Sequence, residues 1–162
     1  MMRWIAAPVL VLAIAAPALA DPAADVKAVS DAFEKAMAAG DAAAVVALYR
    51  DDASVVWPGR GEEAKGKAAI EKMVKAALAS APKDLKIVQK SNEAIPLDAD
   101  HIANVGRWEQ SYTTPAGKHV TEEIRTTEVL AKTGGQWRYL VDHASVGQAP
   151  PPSPRRGRRR HG

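Results

Sequence analysis

The hydrophobic period of this sequence changes from helical to strand-like at Pro82, and that change constrains the fold more than any other feature. Before Pro82, apolar residues recur every three to four positions, which is typical of amphipathic helices. After Pro82, they alternate with polar residues over long stretches, which is typical of half-buried strands. A chain with helices first and long strands afterwards is predicted to fold as an α+β domain, with the helices on one face of a sheet.

Three helices are predicted before Pro82. The first begins at Asp21-Pro22, an N-cap followed by proline at the first helical position, and it ends at Gly40. The second is short and begins after the cap Asp41. Its apolar residues are Val45, Leu48 and Tyr49. The third follows Gly66 and has the clearest helical spacing in the chain. Its apolar residues are Ile70, Met73, Val74, Ala77 and Leu78.

The remaining segments of the domain are predicted to be strands. A short β-rich segment runs from Ala53 to Trp57, and the turn residues Pro58 to Gly61 end it. Four long extended segments follow, and turn residues separate each from the next, which predicts an antiparallel meander. These segments span residues 84–97, 101–114, 119–132 and 136–146.

Both ends of the chain are predicted to lie outside the folded domain. Residues 1–20 contain one basic residue, an apolar run and the small-residue sequence Ala18-Leu19-Ala20, which together indicate a secretory signal peptide. Cleavage after Ala20 would leave an exported protein, in the periplasm or secreted. Residues 149–162 combine prolines with five arginines, a composition that favours disorder. The predicted organisation is therefore a signal peptide (1–20), one domain (21–148) and a basic tail (149–162).

The overall charge of +3 does not describe the domain. Residues 21–150 contain 16 basic and 19 acidic side chains, so this part carries a net charge of −3 with neutral histidines. The strongly basic part is the tail, from Arg155 to Arg160. An anionic surface is a candidate partner of the tail, and a solvated flexible end is the alternative. Specific recognition of nucleic acid by the domain is not predicted.

Several kinds of catalytic and metal site are disfavoured by the residues present. The chain has no cysteine, which excludes thiol nucleophiles and cysteine metal sites. None of the histidines pairs with another at metal-ligand spacing, so no metal is predicted. These histidines are His101, His119, His143 and His161. A G-x-S-x-G serine motif and a glycine-rich phosphate loop are also missing from the sequence, and no cofactor is predicted.

Three segments of the domain carry a resemblance to a known superfamily. They read AFEKAMAAGDAAAVVALYRDDASVVWPG, GKAAIEKMV and GGQWRYLVDHAS, and they lie in this order within residues 23–147. Together they resemble the nuclear transport factor 2-like superfamily, nearest its SnoaL-like and ketosteroid-isomerase-like branch. The resemblance implies a cone, in which a curved antiparallel sheet wraps around three N-terminal helices and leaves an apolar pocket. It does not imply one function, because the superfamily includes isomerases, dehydratases, cyclases, epoxide hydrolases and non-enzymes.

Trp57 stands where the resemblance implies a catalytic base. In the isomerase branch, the residue before the proline of this short strand is an aspartate that takes a proton. The indole N–H of Trp57 only donates hydrogen bonds, so this side chain cannot act as that base. We therefore expect Trp57 to belong to the wall of a pocket. The other residues expected in that wall are Phe33, Met37, Tyr49, Trp108 and Leu140.

Asp142, in the closing strand, is the alternative catalytic carboxylate. Strict alternation places it on one strand face, and the resemblance implies that this face lines the pocket. The same face would carry Arg138, Leu140 and Ala144. Arg125 is a candidate basic partner, although the apolar residues of its own strand favour the opposite face as the inner one. A structural ion pair is the alternative role for Asp142, and a solvated sheet face is the alternative place for Arg125.

Three functions are compatible with these features. The first is an exported protein, expected to be a homodimer, that binds a small and mostly apolar molecule in the cone. The second is a cofactor-independent lyase, isomerase or hydrolase that uses Asp142 with Arg125. The third is an oligomeric protein that associates with surfaces through its tail. A roomy pocket at Asp142 would favour the enzyme, whereas a cone filled by aromatic side chains would favour the third function.

Overall fold

The computed structural model describes residues 21–58 and 62–147. The predicted signal peptide (1–20) and basic tail (149–162) lie outside the described residues, as do residues 59–61 and 148. Three helices lie at Pro22–Ala39 (α1), Ala42–Ala47 (α2) and Lys67–Ser80 (α3). Among the described residues, no helix is both long enough and apolar enough to cross a membrane.

The ends of the first two helices follow from the capping residues. The side chain of Asp21 accepts hydrogen bonds from the backbone N–H groups of the first turn of α1, as an N-cap does. Gly40 ends α1 with a φ of 65°, a left-handed conformation that glycine adopts without a steric penalty. The expectation that Tyr49 belongs to the second helix is wrong. Helix α2 ends at Ala47, and Tyr49 begins the first strand.

Six strands form one curved sheet with the order β2-β1-β6-β5-β4-β3. The four long strands form the predicted meander, in which each strand is antiparallel to the next. The short strand β1 pairs in parallel with β6, a connection not predicted from the sequence, and β2 extends the sheet beyond β1. The strands are Tyr49–Val56 (β1), Glu63–Lys65 (β2), Lys86–Pro96 (β3), His101–Thr113 (β4), His119–Thr133 (β5) and Gln136–Val146 (β6).

A β-bulge in β6 changes which residues of that strand face inward. Val129 pairs with Val141 and Leu130 pairs with Tyr139, so Leu140 is the extra residue of β6. Tyr139 therefore shares the buried inner face with Asp142, although simple alternation places them on opposite faces. The predicted assignment of Leu140 to the same face as Asp142 is wrong for this reason.

The main hydrophobic core lies between the helices and the inner face of the sheet. Helix α1 packs mainly on β3, while α3 packs on α2 and β1. The fully buried apolar side chains of this core include Val26, Val45, Val55, Ile70, Val74, Ile102 and Leu130. Burying one side chain of this size contributes about 1.5–3 kcal/mol. The packed helices support one side of the inner face, and the rest of that face lines a cavity.

Candidate active site

A cavity of about 850 Å³ lies between the inner face of the sheet and helices α1 and α3. Most of its wall is apolar, and it contains several of the side chains that the sequence predicts for a pocket. These are Phe33, Met37, Trp57, Trp108 and Asp142. The aromatic side chains therefore line the space without filling it, and the space reaches a buried carboxyl group.

Three predicted site residues lie elsewhere. Leu140, at the bulge, is not among the residues that line the cavity. Tyr49 is buried behind the wall, where it contacts Asp142. Arg125 is exposed on the outer face of the sheet, because its neighbour Ile124 faces inward and side chains alternate along a strand. The predicted pairing of Arg125 with Asp142 is therefore wrong.

Three polar side chains form a row across the inner face of the sheet. Asn104 of β4 is opposite Glu128 of β5, and Glu128 is opposite Asp142 of β6. Directly opposite residues have Cβ atoms about 4.5–5.5 Å apart. The exposed fractions of the three residues are 0%, 2% and 6%. We call Asn104, Glu128 and Asp142 the acid row, and both of its carboxyl groups line the cavity.

Two side chains hold one oxygen of Asp142. The Tyr49 hydroxyl donates to Oδ2 at 2.7 Å, and Trp57 Nε1 donates to the same oxygen at 3.1 Å. Among the described residues, no hydrogen bond reaches Oδ1, which leaves that oxygen available to a molecule in the cavity. Trp57 cannot act as a base, because its ring nitrogen only donates a hydrogen bond. That N–H instead orients the carboxylate of Asp142, a group that can take a proton.

Glu128 is held by the third member of the acid row. Asn104 Nδ2 donates to Glu128 Oε2 at 2.7 Å. Burial, together with the nearby charge of Asp142, raises the pKa of Glu128 from its ordinary value of 4.5 to about 7. A carboxyl group with such a pKa gives up or takes a proton readily at neutral pH, which suits general acid–base catalysis.

The two carboxyl groups of the acid row differ in how well their anions are stabilised. Burial also raises the pKa of Asp142, while hydrogen bonds from Tyr49 and Trp57 oppose that rise. Burial raises the pKa of Tyr49 and Tyr139 well above 10.0, so both hydroxyls stay protonated. Tyr49 and Trp57 both donate to Asp142, and the charge of Asp142 is one cause of the raised pKa of Glu128, so we assign the single negative charge of the pair to Asp142. The acid row then holds a base beside an acid.

A second row of small residues lies next to the acid row on the inner face. Gly106, Thr126 and Ala144 are opposite one another on β4, β5 and β6, and we call them the floor row. A Cβ on Gly106 would lie well inside contact distance of Thr126 Oγ1 and 3.2 Å from Trp108 Nε1. Thr126 and Ala144 line the cavity, so the small side chains of the floor row leave space beside the two carboxyl groups.

Phe33 of helix α1 packs against the other aromatic side chains of the cavity wall. Its ring is edge-on to the rings of Trp57, Trp108 and Tyr139, with centroids 6.1, 5.8 and 6.4 Å away. Edge-to-face pairs at such distances contribute about 0.5–1.5 kcal/mol beyond their burial. These contacts fix an apolar wall beside the acid row, where an apolar ring or chain has favourable contacts.

Glu128 is the important site residue that the sequence predictions omitted. It alternates with Ile124, Thr126 and Leu130, so it lies on the apolar face of its strand. A charged residue on the apolar face of a strand is rarely buried without a partner, and that pattern is the signal that identifies it.

Among the described residues, no group of three or more histidine, aspartate and glutamate side chains is placed to hold a metal ion.

The buried carboxyl of Glu128 predicts a stability that falls as the pH rises. A carboxyl whose pKa is raised in the folded state binds its proton more tightly there than in the unfolded state. The stabilisation that this carboxyl group contributes to the folded state is complete below a pH of about 4.5 and is lost as the pH rises to about 7. Over this window the free energy of unfolding should fall by about 3 kcal/mol. The raised pKa of Asp142 acts in the same direction.

Urea unfolding at about pH 4 and about pH 8 measures this difference, on either side of the window. Glu128→Gln should reduce the pH dependence, because glutamine does not titrate. Glu123→Gln, which changes an exposed carboxyl on the outer face of β5, should leave the dependence as in the wild type. Equal pH dependence in the wild type and Glu128→Gln would contradict the raised pKa of Glu128.

The comparisons with known proteins agree on the fold. The SnoaL-like domain family matches residues 26–149, and no curated protein matches the chain. A protein from Xanthomonas campestris, described as a calcium/calmodulin dependent protein kinase II association domain, is 26% identical with a TM-score of 0.69; the match covers 82% of this chain and 93% of that protein.

Two further solved structures are similar over most of their length. A ketosteroid isomerase-like protein from Erwinia carotovora atroseptica is 24% identical with a TM-score of 0.66, over 80% of this chain and 98% of that protein. A protein from Streptomyces avermitilis, described as a dehydratase of the NTF2-like family, is 19% identical with a TM-score of 0.66, over 80% and 100%. At these identities, the two similarities show a shared fold.

Proposed function

The chain belongs to the SnoaL-like family within the nuclear transport factor 2-like superfamily, and from this premise we propose that it is a cofactor-independent acid–base enzyme. Its substrate is a small and mostly apolar molecule that binds in the cavity. The observation that carries the proposal is the buried pair of carboxyl groups, Glu128 and Asp142, at the wall of an apolar cavity. Such a pair is expensive to bury, and proton transfer gives a physical reason for its presence.

In the proposed step, Asp142 removes a proton from carbon through Oδ1. Glu128 gives its proton to an oxygen of the same molecule, either a carbonyl oxygen or a leaving group. Asp142 is then neutral and Glu128 is ionised, so the pair keeps one proton and one negative charge throughout. Because the net charge of the buried pair does not change, the step avoids the desolvation cost of creating a second charge there. In isomerisation, Asp142 returns its proton to another carbon and Glu128 takes back the proton from oxygen. In a lyase reaction, the leaving group departs with the proton from Glu128, and the proton on Asp142 then passes to Glu128 to restore the pair.

The hydrolase alternative uses the same two groups. A water molecule in the cavity would replace the carbon acid, and Asp142 would take a proton from that water. This reading has less support, because the wall beside Asp142 is built from the aromatic side chains Trp57 and Phe33 and the buried Tyr139. Aromatic surface favours an apolar substrate over an ordered nucleophilic water.

Turnover of 5-nitrobenzisoxazole tests the proposal without knowledge of the natural substrate. In this reaction a base removes the ring C–H proton and the ring N–O bond breaks, which gives a coloured cyanophenolate. A carboxylate in an apolar cavity is a stronger base toward this substrate than a carboxylate in water. We expect residues 21–162 to accelerate the elimination with saturation kinetics. A rate equal to that of acetate at the same concentration would contradict the proposal.

Binding without turnover is the second candidate function, and the apolar wall of the cavity favours it. Native mass spectrometry of residues 21–162, purified without added ligand, addresses it directly. We expect an additional mass that is lost on denaturation, since a cavity of about 850 Å³ has room for a drug-sized apolar molecule. A ligand retained by a protein that does not turn over 5-nitrobenzisoxazole would favour binding over catalysis.

We also propose that the protein is exported and that it forms a homodimer. The sequence of residues 1–20 supports export, and the outer face of the sheet supports a homodimer. That face exposes Val105 and Val141, whose exposed fractions are 48% and 39%, beside charges of both signs that include Arg107 and Glu123. The same native mass spectrum reports the oligomeric state, and a monomer at micromolar concentration would count against the homodimer. Association with anionic surfaces through Arg155–Arg160 remains a third, separate proposal.

A further inference from the structure

Asn104 is the one member of the acid row that does not ionise, and its amide is only half paired. The residue is fully buried, with Ala94 of β3 opposite it on one side and Glu128 on the other. Nδ2 donates to Glu128 Oε2, whereas Oδ1 is buried without a hydrogen-bond partner among the described residues. A buried amide oxygen without a partner is unusual, because leaving it unpaired is unfavourable.

The distance between Asn104 and Glu128 fits a hydrogen bond in either direction. The 2.7 Å between Asn104 and Glu128 is a short distance for N–H···O and the usual distance for O–H···O. If the amide turns by half a rotation about its Cβ–Cγ bond, Oδ1 takes the place of Nδ2 and accepts a hydrogen bond from the O–H of the carboxylic acid. One amide atom is unpaired in either orientation, so the protonation state of Glu128 decides between them. The orientation with Nδ2 toward Glu128 fits the ionised carboxylate. The neutral Glu128 that the resting pair holds would select the other orientation.

We propose that Asn104 is a positioning residue that holds Glu128 in both protonation states, donating from Nδ2 to the carboxylate and accepting at Oδ1 from the carboxylic acid. This inference rests on the proposed function, in which Glu128 must lose and regain a proton in each cycle. With a partner that changes direction, the carboxyl group keeps its place beside Asp142 through the cycle. A partner that only donates, such as lysine, would hold the ionised state alone.

Few other titratable groups face Glu128. Asp142 and Tyr139 approach from β6, and Tyr49 lies behind Asp142 on β1. Helix α1 places the buried Ser30 against Tyr139, and serine does not titrate at these pH values. The remaining charged side chains that line the cavity are exposed, namely Glu62, Glu63 and Lys72. His143 follows Asp142 on β6 and is exposed on the outer face, where its charge lowers the pKa of Asp142. A pH-dependent change at Asn104 that disappears in Glu128→Gln therefore reports the Glu128–Asp142 pair.

The sequence makes this inference directly testable, because the chain contains two asparagines, Asn92 and Asn104. A protein labelled with ¹⁵N in asparagine gives two side-chain amide signals, and Asn92→Ser identifies which is which. Asn92 is half-buried on β3 opposite Gly106, so it serves as a control within the same spectrum. The experiment follows both amide signals of the unliganded protein against pH, together with the carboxyl carbon of ¹³C-labelled Glu128.

We expect the Asn104 amide signal to move with the same midpoint as the Glu128 carboxyl carbon, while the Asn92 signal stays nearly constant. In Glu128→Gln the movement at that midpoint should disappear. An Asn104 signal that stays constant while Glu128 titrates would overturn the proposal. Since no substrate is present, this result is independent of whether the protein turns over 5-nitrobenzisoxazole, and the two ideas can fail separately.

Asn104→Leu provides a second measurement. Leucine has a similar branched shape and offers neither a donor nor an acceptor. A hydrogen bond to an ionised carboxyl is about twice as strong as one between neutral groups, so the midpoint of Glu128 should rise by about one pH unit. An unchanged midpoint in a folded variant would also overturn the proposal. If the variant does not fold, the measurement on the wild type decides alone.

Discussion

Replacing Asp142 with asparagine is expected to lower the rate of 5-nitrobenzisoxazole elimination by a factor of about 10²–10⁴. Asparagine keeps the shape of the side chain and still offers an oxygen to Tyr49 and Trp57, but it cannot take a proton. The loss should therefore appear in the turnover rate at saturation, with a smaller change in KM. Absorbance of the cyanophenolate product, recorded for both proteins at several substrate concentrations, measures the two effects separately.

Two further variants test whether the loss of rate is specific to the carboxylate of Asp142. Glu123→Gln removes an exposed carboxyl from the outer face of β5 and should leave the rate unchanged. Trp57→Phe keeps a ring in the wall but removes one donor to Asp142, so the pKa of Asp142 should rise and the rate at neutral pH should fall by a smaller factor. Full activity in Asp142→Asn would show that another group is the base, and it would remove the mechanism proposed above.

Replacing Gly106 with alanine is expected to destabilise the protein by about 1–3 kcal/mol, although the change adds only one methyl group. The new Cβ would meet Thr126 Oγ1 at a distance that real atoms do not adopt, and it would lie 3.2 Å from Trp108 Nε1. Both neighbours are buried, with exposed fractions of 6% and 4%, so they have little space to move. Urea unfolding at one fixed pH measures the difference in free energy.

A double-mutant cycle separates this clash from the general effect of alanine in a strand. Thr126→Ala removes the oxygen that the new methyl group would meet, so the double variant should lose less stability than the sum of the two single variants. Gly147→Ala is the matched control, because its Cβ would meet only the flexible tip of Arg125, and the change should stay within about 0.5 kcal/mol. Additive losses in the cycle would contradict the clash at the floor row.

The acid row also answers the question raised by Trp57. The resemblance implies a base at this position, and Trp57 cannot be one. In this chain, two carboxyl groups come instead from the neighbouring strands β5 and β6, and the indole N–H of Trp57 points to one of them. The same cavity wall can thus carry acid–base chemistry from a different strand, because inward positions of β5 and β6 face the cavity that Trp57 also lines.

Much of the fold follows from the sequence because it depends on local periodicity. The caps Asp21 and Gly40 define the first helix, and the strand Gln136–Val146 is bounded as the turn residues predict. The placement of Asp142 on the inner face follows from the resemblance, because alternation alone does not decide which face of β6 is inward. Local rules fail at Tyr49, which lies one residue beyond the C-cap of α2 and pairs with β6. Whether the chain continues a helix or joins a sheet there depends on a strand about ninety positions away.

The sequence by itself determined the helices, the meander, the superfamily and one of the two buried carboxyl groups. Only the tertiary structure decided that Leu140 forms a bulge, that Arg125 faces outward and that Asn104, Glu128 and Asp142 lie in one row. Periodicity is set by contacts between residues a few positions apart, so it can be read along the chain. The register between strands is set by packing among residues distant in the chain, such as Asn104 and Glu128, 24 positions apart, or Glu128 and Asp142, 14 positions apart. A shift of one residue reverses every face.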